Sequence, residues 1–172
     1  MNAYTSLARE AVEKYVKEGE IMSLPDDLPE EFYNKRAGVF VSIKKQGELR
    51  ACVGTSIPAK NNIAGEIVAN AISAASKDHR FGSVEATELP ELSYEVYILG
   101  APEPTDDIED LDPKKYGVVV NSVFGKTGLL LPDLEGVETP SDQLKIACEK
   151  AGIDIQSEDF SLYRFTADKY EE

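Results

Sequence analysis

Residues 37–54 of this chain have the sequence AGVFVSIKKQGELRACVG. Residues 37–43 alternate with β-branched side chains, and residues 49–54 form a second short apolar segment, a pattern typical of strands. Lys45-Gln46-Gly47 stands between the two segments and predicts a tight turn. The stretch therefore predicts a β-hairpin, which is an antiparallel pair of strands.

Three main helices are predicted around this hairpin. Apolar residues recur at three- and four-residue spacing over residues 4–16, and Gly19 is a natural end for that helix. Asn61 or Asn62 caps a second helix, whose apolar stripe covers residues 63–75. A third begins at Thr139 and ends at Gly152. The Pro-rich residues 24–29, followed by one helical turn, connect the first helix to the hairpin.

Further strands are predicted at residues 92–99 and 163–169, with a second hairpin formed by residues 118–120 and 129–131. Residues 103–112 contain six acids and no base, which predicts a solvated loop. Tyr163 and Phe165 share a face of the last strand and are expected in the core. The fold class that follows is α/β of the α+β type, a mainly antiparallel sheet flanked by helices.

Composition excludes several classes of function. The 172 residues suit one domain with a sizeable core. The net charge of -14, without a block of Lys or Arg, argues against a nucleic-acid partner. No apolar run approaches the ~20 residues needed to span a bilayer, and no secretory leader is visible. We therefore expect a cytoplasmic protein with no membrane contact. The two cysteines lack zinc-ligand spacing, and we expect neither a metal nor another cofactor.

The segment with the strongest chemical signal is residues 48–55. Strict alternation along a strand places Leu49, Ala51 and Val53 towards the core. Arg50 and Cys52 then share the other face. A guanidinium near a thiol lowers the thiol's pKa and favours the reactive thiolate, so Arg50 and Cys52 are predicted as catalytic residues.

Gly54 and Thr55 end the same strand and are predicted to form the rim of a binding pocket. An alternative interpretation of the segment remains open. In it, Cys52 is a small buried residue and Arg50 pairs with Glu48.

Other residues are candidates for structural roles or for a second part of the site. Asp78 and Arg80 are predicted to form an ion pair or a pocket wall, and His79 between them to face solvent. Cys148 lies on an apolar helical stripe and should be buried. Gly125-Lys126-Thr127 resembles part of a phosphate loop. The motif's first glycine is absent, however, and a strand rather than a helix should follow.

Several segments together carry a family resemblance. Leu49-Arg50-Ala51-Cys52-Val53-Gly54 is similar to the hallmark Leu-Arg-Gly-Cys-Ile-Gly of the AMMECR family. In chain order the other matching segments are Leu7-Ala8-Arg9-Glu10, Ala37-Gly38-Val39-Phe40-Val41, Asp78-His79-Arg80-Phe81, Gly128-Leu129-Leu130-Leu131-Pro132, Lys150-Ala151-Gly152 and Tyr163-Arg164-Phe165. The resemblance covers nearly the whole chain.

The resemblance implies a single AMMECR-type domain over residues 1–172, built from two subdomains. It also implies a functional site at the hallmark motif, and a Memo-like or radical-SAM protein as partner. Ala51 replaces the motif's glycine, and Gly82-Ser83 replaces a Pro-Pro common in the family. Two hypotheses follow. The domain is an enzyme or small-ligand domain centred on Arg50 and Cys52, or it is a non-catalytic accessory domain for such a partner.

Overall fold

A computed structural model describes residues 2–172, and these divide into two compact units. The first unit runs up to Leu99 and includes Asp168–Glu172, and the second is Gly100–Ala167. The helices are α1 Ala3–Glu18, α2 Glu30–Asn34, α3 Ile63–Lys77 and α4 Pro140–Ala151, with short 3-10 helices at Ala86–Glu91 and Ile108–Asp110. The strands are β1 Val39–Lys45, β2 Glu48–Thr55, β3 Leu92–Leu99, β4 Glu103–Thr105, β5 Gly117–Ser122, β6 Thr127–Leu130, β7 Phe160–Phe165 and β8 Ala167–Glu171.

The first unit contains a four-stranded sheet in the order β2-β1-β3-β8. The predicted hairpin is confirmed: β1 pairs antiparallel with β2, and Gln46 and Gly47 turn the chain with φ of 53° and 86°. Helices α1 and α3 pack on one face of the sheet, where the buried apolar residues of β1 and β3 form the core. The side chain of Asn62 caps α3 by accepting from the Gly65 amide at 2.9 Å, and Gly19 ends α1 with φ of 72°.

The second unit contains a four-stranded sheet in the order β4-β7-β5-β6. The pairs β5–β6, β5–β7 and β4–β7 are all antiparallel. Helix α4 begins at a capping box between Thr139 and Asp142, and Gly152 ends it. The helix packs on β5 and β6 and closes the second core, in which Cys148 is buried as predicted. The fold class predicted from the sequence is confirmed.

Two predicted segments differ from the structure. Residues 103–112 are not simply a solvated loop, because Glu103–Thr105 pairs with β7 and Thr105 Oγ1 donates to Asp110 at 3.0 Å. Residues 163–169 are not one strand, because the chain breaks at Thr166 and its two parts join different sheets. Phe165 is core, as predicted, but Tyr163 is only half-buried.

Among residues 2–172, none of the helices combines the length and the apolar character that crossing a bilayer requires.

Candidate functional site

The hallmark strand β2 contains a β-bulge at Arg50. Ile43 of β1 lies opposite Ala51, but the next residue, Lys44, lies opposite Leu49. Arg50 is therefore the extra residue of β2. A bulge of this kind bends the strand and re-aims the side chain that it carries.

The bulge changes which residues face the core. Leu49 is 44% exposed, so the prediction that it packs in the core is wrong. The reason is that one extra residue inverts the alternation on one side of the bulge. Ala51 and Val53 lie beyond the bulge and do face the core, as predicted.

Arg50 is bound to the segment that follows α3. Its Nε and Nη2 donate to the two carboxylate oxygens of Glu88, each at 2.9 Å. Its Nη1 and Nη2 also donate to the carbonyls of Gly82 at 3.2 Å and Ser83 at 3.1 Å. The alternative pairing with Glu48 is not what forms. Arg50 instead fastens residues 82–88 to the edge of the sheet.

The pair between Arg50 and Glu88 is well shielded, with side-chain exposures of 14% and 15%. The hydrogen bonds from Arg50 lower the pKa of Glu88 to about 2, although its burial acts in the opposite direction. The same partner raises the pKa of Arg50. Both groups are therefore charged at pH 7.

A second ion pair holds the main chain of Cys52. Asp78 Oδ2 accepts from the Cys52 amide at 3.0 Å, and Arg80 Nη2 donates to the Cys52 carbonyl at 3.3 Å. Asp78 and Arg80 bind each other at 2.8 and 3.0 Å, which confirms the predicted ion pair. Because β2 is an edge strand, its outward main-chain groups have no neighbouring strand. The two side chains take that strand's place at Cys52, and we call them the Cys52 clamp.

The contacts within the clamp favour the charged forms of both Asp78 and Arg80. The hydrogen bond from Arg80 lowers the pKa of Asp78 to about 2, with a further contribution from the Cys52 amide. The pKa of Arg80 is raised, mainly by Asp78 and also by its electrostatic interaction with Cys52. The Arg80 guanidinium thus interacts electrostatically with Cys52. The predicted catalytic role of Arg50 stays a prediction. His79, between the two, is exposed as predicted.

The face of the first sheet opposite the helices carries a row of polar residues. Cys52, Ser42 and Glu95 are neighbours in register across β2, β1 and β3, so they form one row. Ser42 and Glu95 are buried, and Cys52 is half-buried. Tyr97, two residues along β3, donates to Glu95 at 3.2 Å. We call this set the Cys52 row.

Two lysines neutralise the carboxylate of the row. Lys44 and Lys169 lie 2.6 and 3.0 Å from Glu95 Oε1. Burial alone would raise the pKa of Glu95, but the hydrogen bonds from these lysines outweigh it and lower the pKa. Sequence analysis identified Cys52 but missed the other members of the row. The alternation of polar and apolar residues in β3 could have predicted that Glu95 and Tyr97 lie on one face of the sheet.

Gly54 and Thr55 each have a structural partner. A Cβ at Gly54 would lie 2.2 Å from the ring of Phe40, so only glycine fits beside that ring. Thr55 lies on the core side of β2, where its Oγ1 donates to Glu66 at 2.5 Å and accepts from Asn70 at 3.2 Å. Their predicted role in ligand binding stays a prediction.

The two cysteines differ in environment. Cys148 is 1% exposed, and burial raises the pKa of its thiol. Cys52 is more exposed and lies beside the charged clamp.

In the Gly125-Lys126-Thr127 motif, Lys126 binds Glu158 at 2.6 Å and the Gly152 carbonyl at 2.8 Å, and the chain continues into β6. The surroundings of Lys126 are those of a hairpin turn.

Proteins of similar sequence match this chain over almost its full length. A protein of Thermotoga maritima is 47% identical over 168 residues, which are 97% of this chain and 96% of that protein. Protein CA_C1420 of Clostridium acetobutylicum is 47% identical over 170 residues, but these are only 36% of its length. This chain thus spans about a third of the Clostridium protein.

The fold matches a solved structure. The crystal structure of the uncharacterized protein PH0010 from Pyrococcus horikoshii superposes with a TM-score of 0.89 at 30% sequence identity. The match covers 98% of this chain and 89% of the other. The AMMECR1 family profile matches residues 5–170, which include the bulge, the clamp and the row. The chain therefore belongs to the AMMECR1 family.

Proposed function

We propose that this domain binds a small anionic metabolite at Cys52 and acts on it through the Cys52 thiol. The observation that carries the proposal is the clamp, in which Asp78 and Arg80 fix both main-chain groups of a half-buried cysteine on an edge strand. A fixed main chain limits the positions that the thiol can take, as a reactive group requires.

Arg80 supplies the positive charge in this proposal. Its side chain is 59% exposed while it binds Asp78, so a ligand's carboxylate or phosphate has access to it. Arginine suits such groups because its planar fork donates two parallel hydrogen bonds. In this proposal the role of Arg50 is indirect. It positions residues 82–88 through Glu88, so it is a positioning residue rather than a catalytic one.

The test is alkylation of the native protein with iodoacetamide between pH 6 and 9, quantified for each cysteine by mass spectrometry. Cys52 should react faster than Cys148, because the thiolate is the reactive form and burial disfavours it at Cys148. Arg80→Met should slow Cys52 labelling below pH ~8, where a thiol of ordinary pKa near 8.5 is mostly protonated.

Arg50→Met and Lys35→Met complete the set, the latter as a control at an exposed lysine in the same unit. An intermediate slowing of Cys52 labelling in Arg50→Met, and no slowing in Lys35→Met, would agree with the assigned roles. Equal labelling of both thiols in the native protein, or no labelling of Cys52 before denaturation, would refute the proposal.

The second candidate is a non-catalytic accessory domain for a Memo-like or radical-SAM partner. It is favoured by the Clostridium relative, in which a domain like this one is joined to a larger protein. Leu49 and Phe81, 44% and 40% exposed, are apolar residues available to a partner. Expressing the remaining two thirds of the Clostridium protein as a separate chain tests it. This candidate requires that chain to bind the domain, and Leu49→Ser or Phe81→Ser to weaken binding more than Ile21→Ser.

A further inference from the structure

A groove lies in the second unit, away in sequence from the hallmark motif. Two cavities of about 410 and about 400 Å³ share Pro104, Thr105 and Asp106 as lining residues. They therefore adjoin along β4. We call their combined surface the β4 groove.

The floor of the groove is apolar. Its lining includes Ile108, Leu144, Phe160 and Leu162, all of which belong to the second core or pack against it. These side chains are held in place by that core. Large apolar side chains of a ligand would therefore meet a preformed surface.

The groove also follows an incompletely paired strand. On one side of β7, β5 pairs with Phe160–Phe165, but on the other side β4 pairs only with residues 162–164. Pro104 has no amide hydrogen, so its pair with Tyr163 is a non-hydrogen-bonded one. Alternation then directs the main-chain groups of Leu162, and of Phe160 two residues earlier, towards the β4 side. At Phe160 the short strand β4 has already ended.

The rim of the groove is acidic. Glu103, Asp106, Asp107 and Asp110 line it together with one base, Arg164, whose Nε lies 3.4 Å from Glu103. The four acids outnumber this base. Part of this charge serves the local fold, since Asp107 caps the 3-10 helix and Asp110 binds Thr105. Asp106 is exposed. Such a rim attracts a cationic ligand and repels an acidic one, including a second copy of this chain with its net charge of -14.

We propose that the β4 groove binds an extended segment of a partner protein, in which Lys or Arg alternates with large apolar residues. The segment adds as a strand beside the Phe160 end of β7, with its apolar side chains on the floor and its cations at the rim. This is strand addition, where main-chain hydrogen bonds give affinity and alternate side chains give specificity. Nothing in the proposal depends on Cys52.

The experiment is an NMR titration of the ¹⁵N-labelled full chain with the acetylated, amidated peptide Lys-Val-Lys-Phe-Lys-Val-Lys. Amide shifts should change at Thr105, Phe160 and Ser161, and residues around Cys52 should be unaffected. The same peptide with every lysine replaced by glutamate is the control for charge. A version N-methylated at alternate residues removes the main-chain donors and should bind more weakly.

Two pairs of variants separate the rim from the floor. Asp106→Lys should weaken binding about threefold to tenfold, while Asp27→Lys, an equal charge change at an exposed site of the first unit, should change it little. Ile108→Ala should weaken binding roughly tenfold. Ile146→Ala, which packs against the same core without lining either cavity, should not.

Thermal unfolding of each variant shows whether the fold is retained. Should Ile108→Ala fail to fold, the Asp106 and Asp27 pair still decides the matter. The proposal is overturned if the lysine peptide causes no shifts at millimolar concentration, if the glutamate peptide binds equally well, or if the shifts map to the first unit.

Discussion

Arg50 is the hallmark residue whose function is clearest from its contacts. Its guanidinium meets both oxygens of Glu88 and two carbonyls, and little of either side chain is exposed. Removing one partner of a shielded pair leaves the other charged group without compensation, which costs more than the pair contributes. The residue therefore matters to the fold whether or not a ligand binds nearby.

The first prediction concerns this pair. Arg50→Met keeps the length of the side chain but leaves the Glu88 carboxylate without its cation. We expect the free energy of unfolding at pH 7 to fall by about 1–3 kcal/mol. Urea denaturation measures the loss. Lys35→Met, at an exposed lysine, should stay within about 0.5 kcal/mol of the wild type.

The second prediction is the pH dependence of the same difference. Folding lowers the pKa of Glu88 from 4.5 to about 2, so the unfolded state binds the proton more readily. The stability that Glu88 contributes is therefore complete above the unfolded pKa and is lost as pH falls towards the folded one. The gap between wild type and Arg50→Met should narrow between pH 5 and pH 2. A gap that stays constant across this range would show that Glu88 is not the partner that matters.

The third prediction concerns Gly54. Because a Cβ there would lie 2.2 Å from the Phe40 ring, Gly54→Ala should cost about 1–3 kcal/mol of stability through overpacking. In a Phe40→Ala background the same substitution should cost much less, since the clashing ring is gone. Urea unfolding of both single variants and the double variant gives the coupling energy. Additive effects would mean that Gly54 is required for another reason, such as the approach of a ligand.

At the scale of the element, β2 is an edge strand that side chains protect. Asp78 and Arg80 occupy the outward main-chain groups of Cys52, as a neighbouring strand would. Residues 82–88 are fastened alongside through Arg50. Exposed edges invite pairing with other chains, and covering them is one means of preventing it. The clamp therefore serves the strand as well as the thiol.

The fourth prediction follows from the clamp. Asp78→Asn removes the carboxylate that accepts a hydrogen bond from the Cys52 amide and binds Arg80. Native-state hydrogen exchange at the Cys52 amide should become roughly tenfold faster, because an opening free energy lower by about 1.4 kcal/mol gives that factor. His79→Ala changes the exposed neighbour and is the control. Unchanged exchange in Asp78→Asn would mean that Arg80 alone secures the strand.

Local patterns in the sequence were sufficient for most elements. The hairpin turn at Gln46-Gly47, the caps of α3 and α4 and the glycines that end α1 and α4 act within a few residues, so the sequence states them directly. The bulge at Arg50 and the break at Thr166 depend on strand pairing between distant residues. Periodicity along one strand does not contain that information.

The same limit applies to the site. Asp78 and Arg80 are two residues apart, and their ion pair was predicted because the contact is local. Glu88 lies 38 residues from Arg50, and it was missed. Glu95 was missed because it reaches Cys52 only through the register of three strands. Contacts that a sheet creates across its strands were visible only once the register was known.

At the scale of the whole molecule, the excess of acids opposes folding. With 32 Asp and Glu against 18 Lys and Arg, the compact state brings like charges together. Several acids are offset by partners, as Glu88 and Glu95 are. Residues 103–112 contain six acids and no base, and Arg164 binds one of those acids, Glu103. The proposed recognition of a basic segment gives this local excess a use.

The fifth prediction is that added salt and neutralisation of acids in residues 103–112 both stabilise the protein, because both weaken repulsion among acids. Raising NaCl from about 0.02 M to about 0.5 M shortens the screening length several-fold and should raise Tm, because it weakens repulsion among exposed acids. Asp106→Asn with Glu109→Gln should raise Tm at low salt by about 2–4 °C and reduce the response to NaCl. Differential scanning fluorimetry measures both, and sucrose at equal osmolality controls for effects other than screening. The same double variant should bind the lysine peptide more weakly, since Asp106 belongs to the rim that attracts the ligand. A variant that is more stable and binds equally well would separate the two effects and assign the acids of this segment to solubility alone.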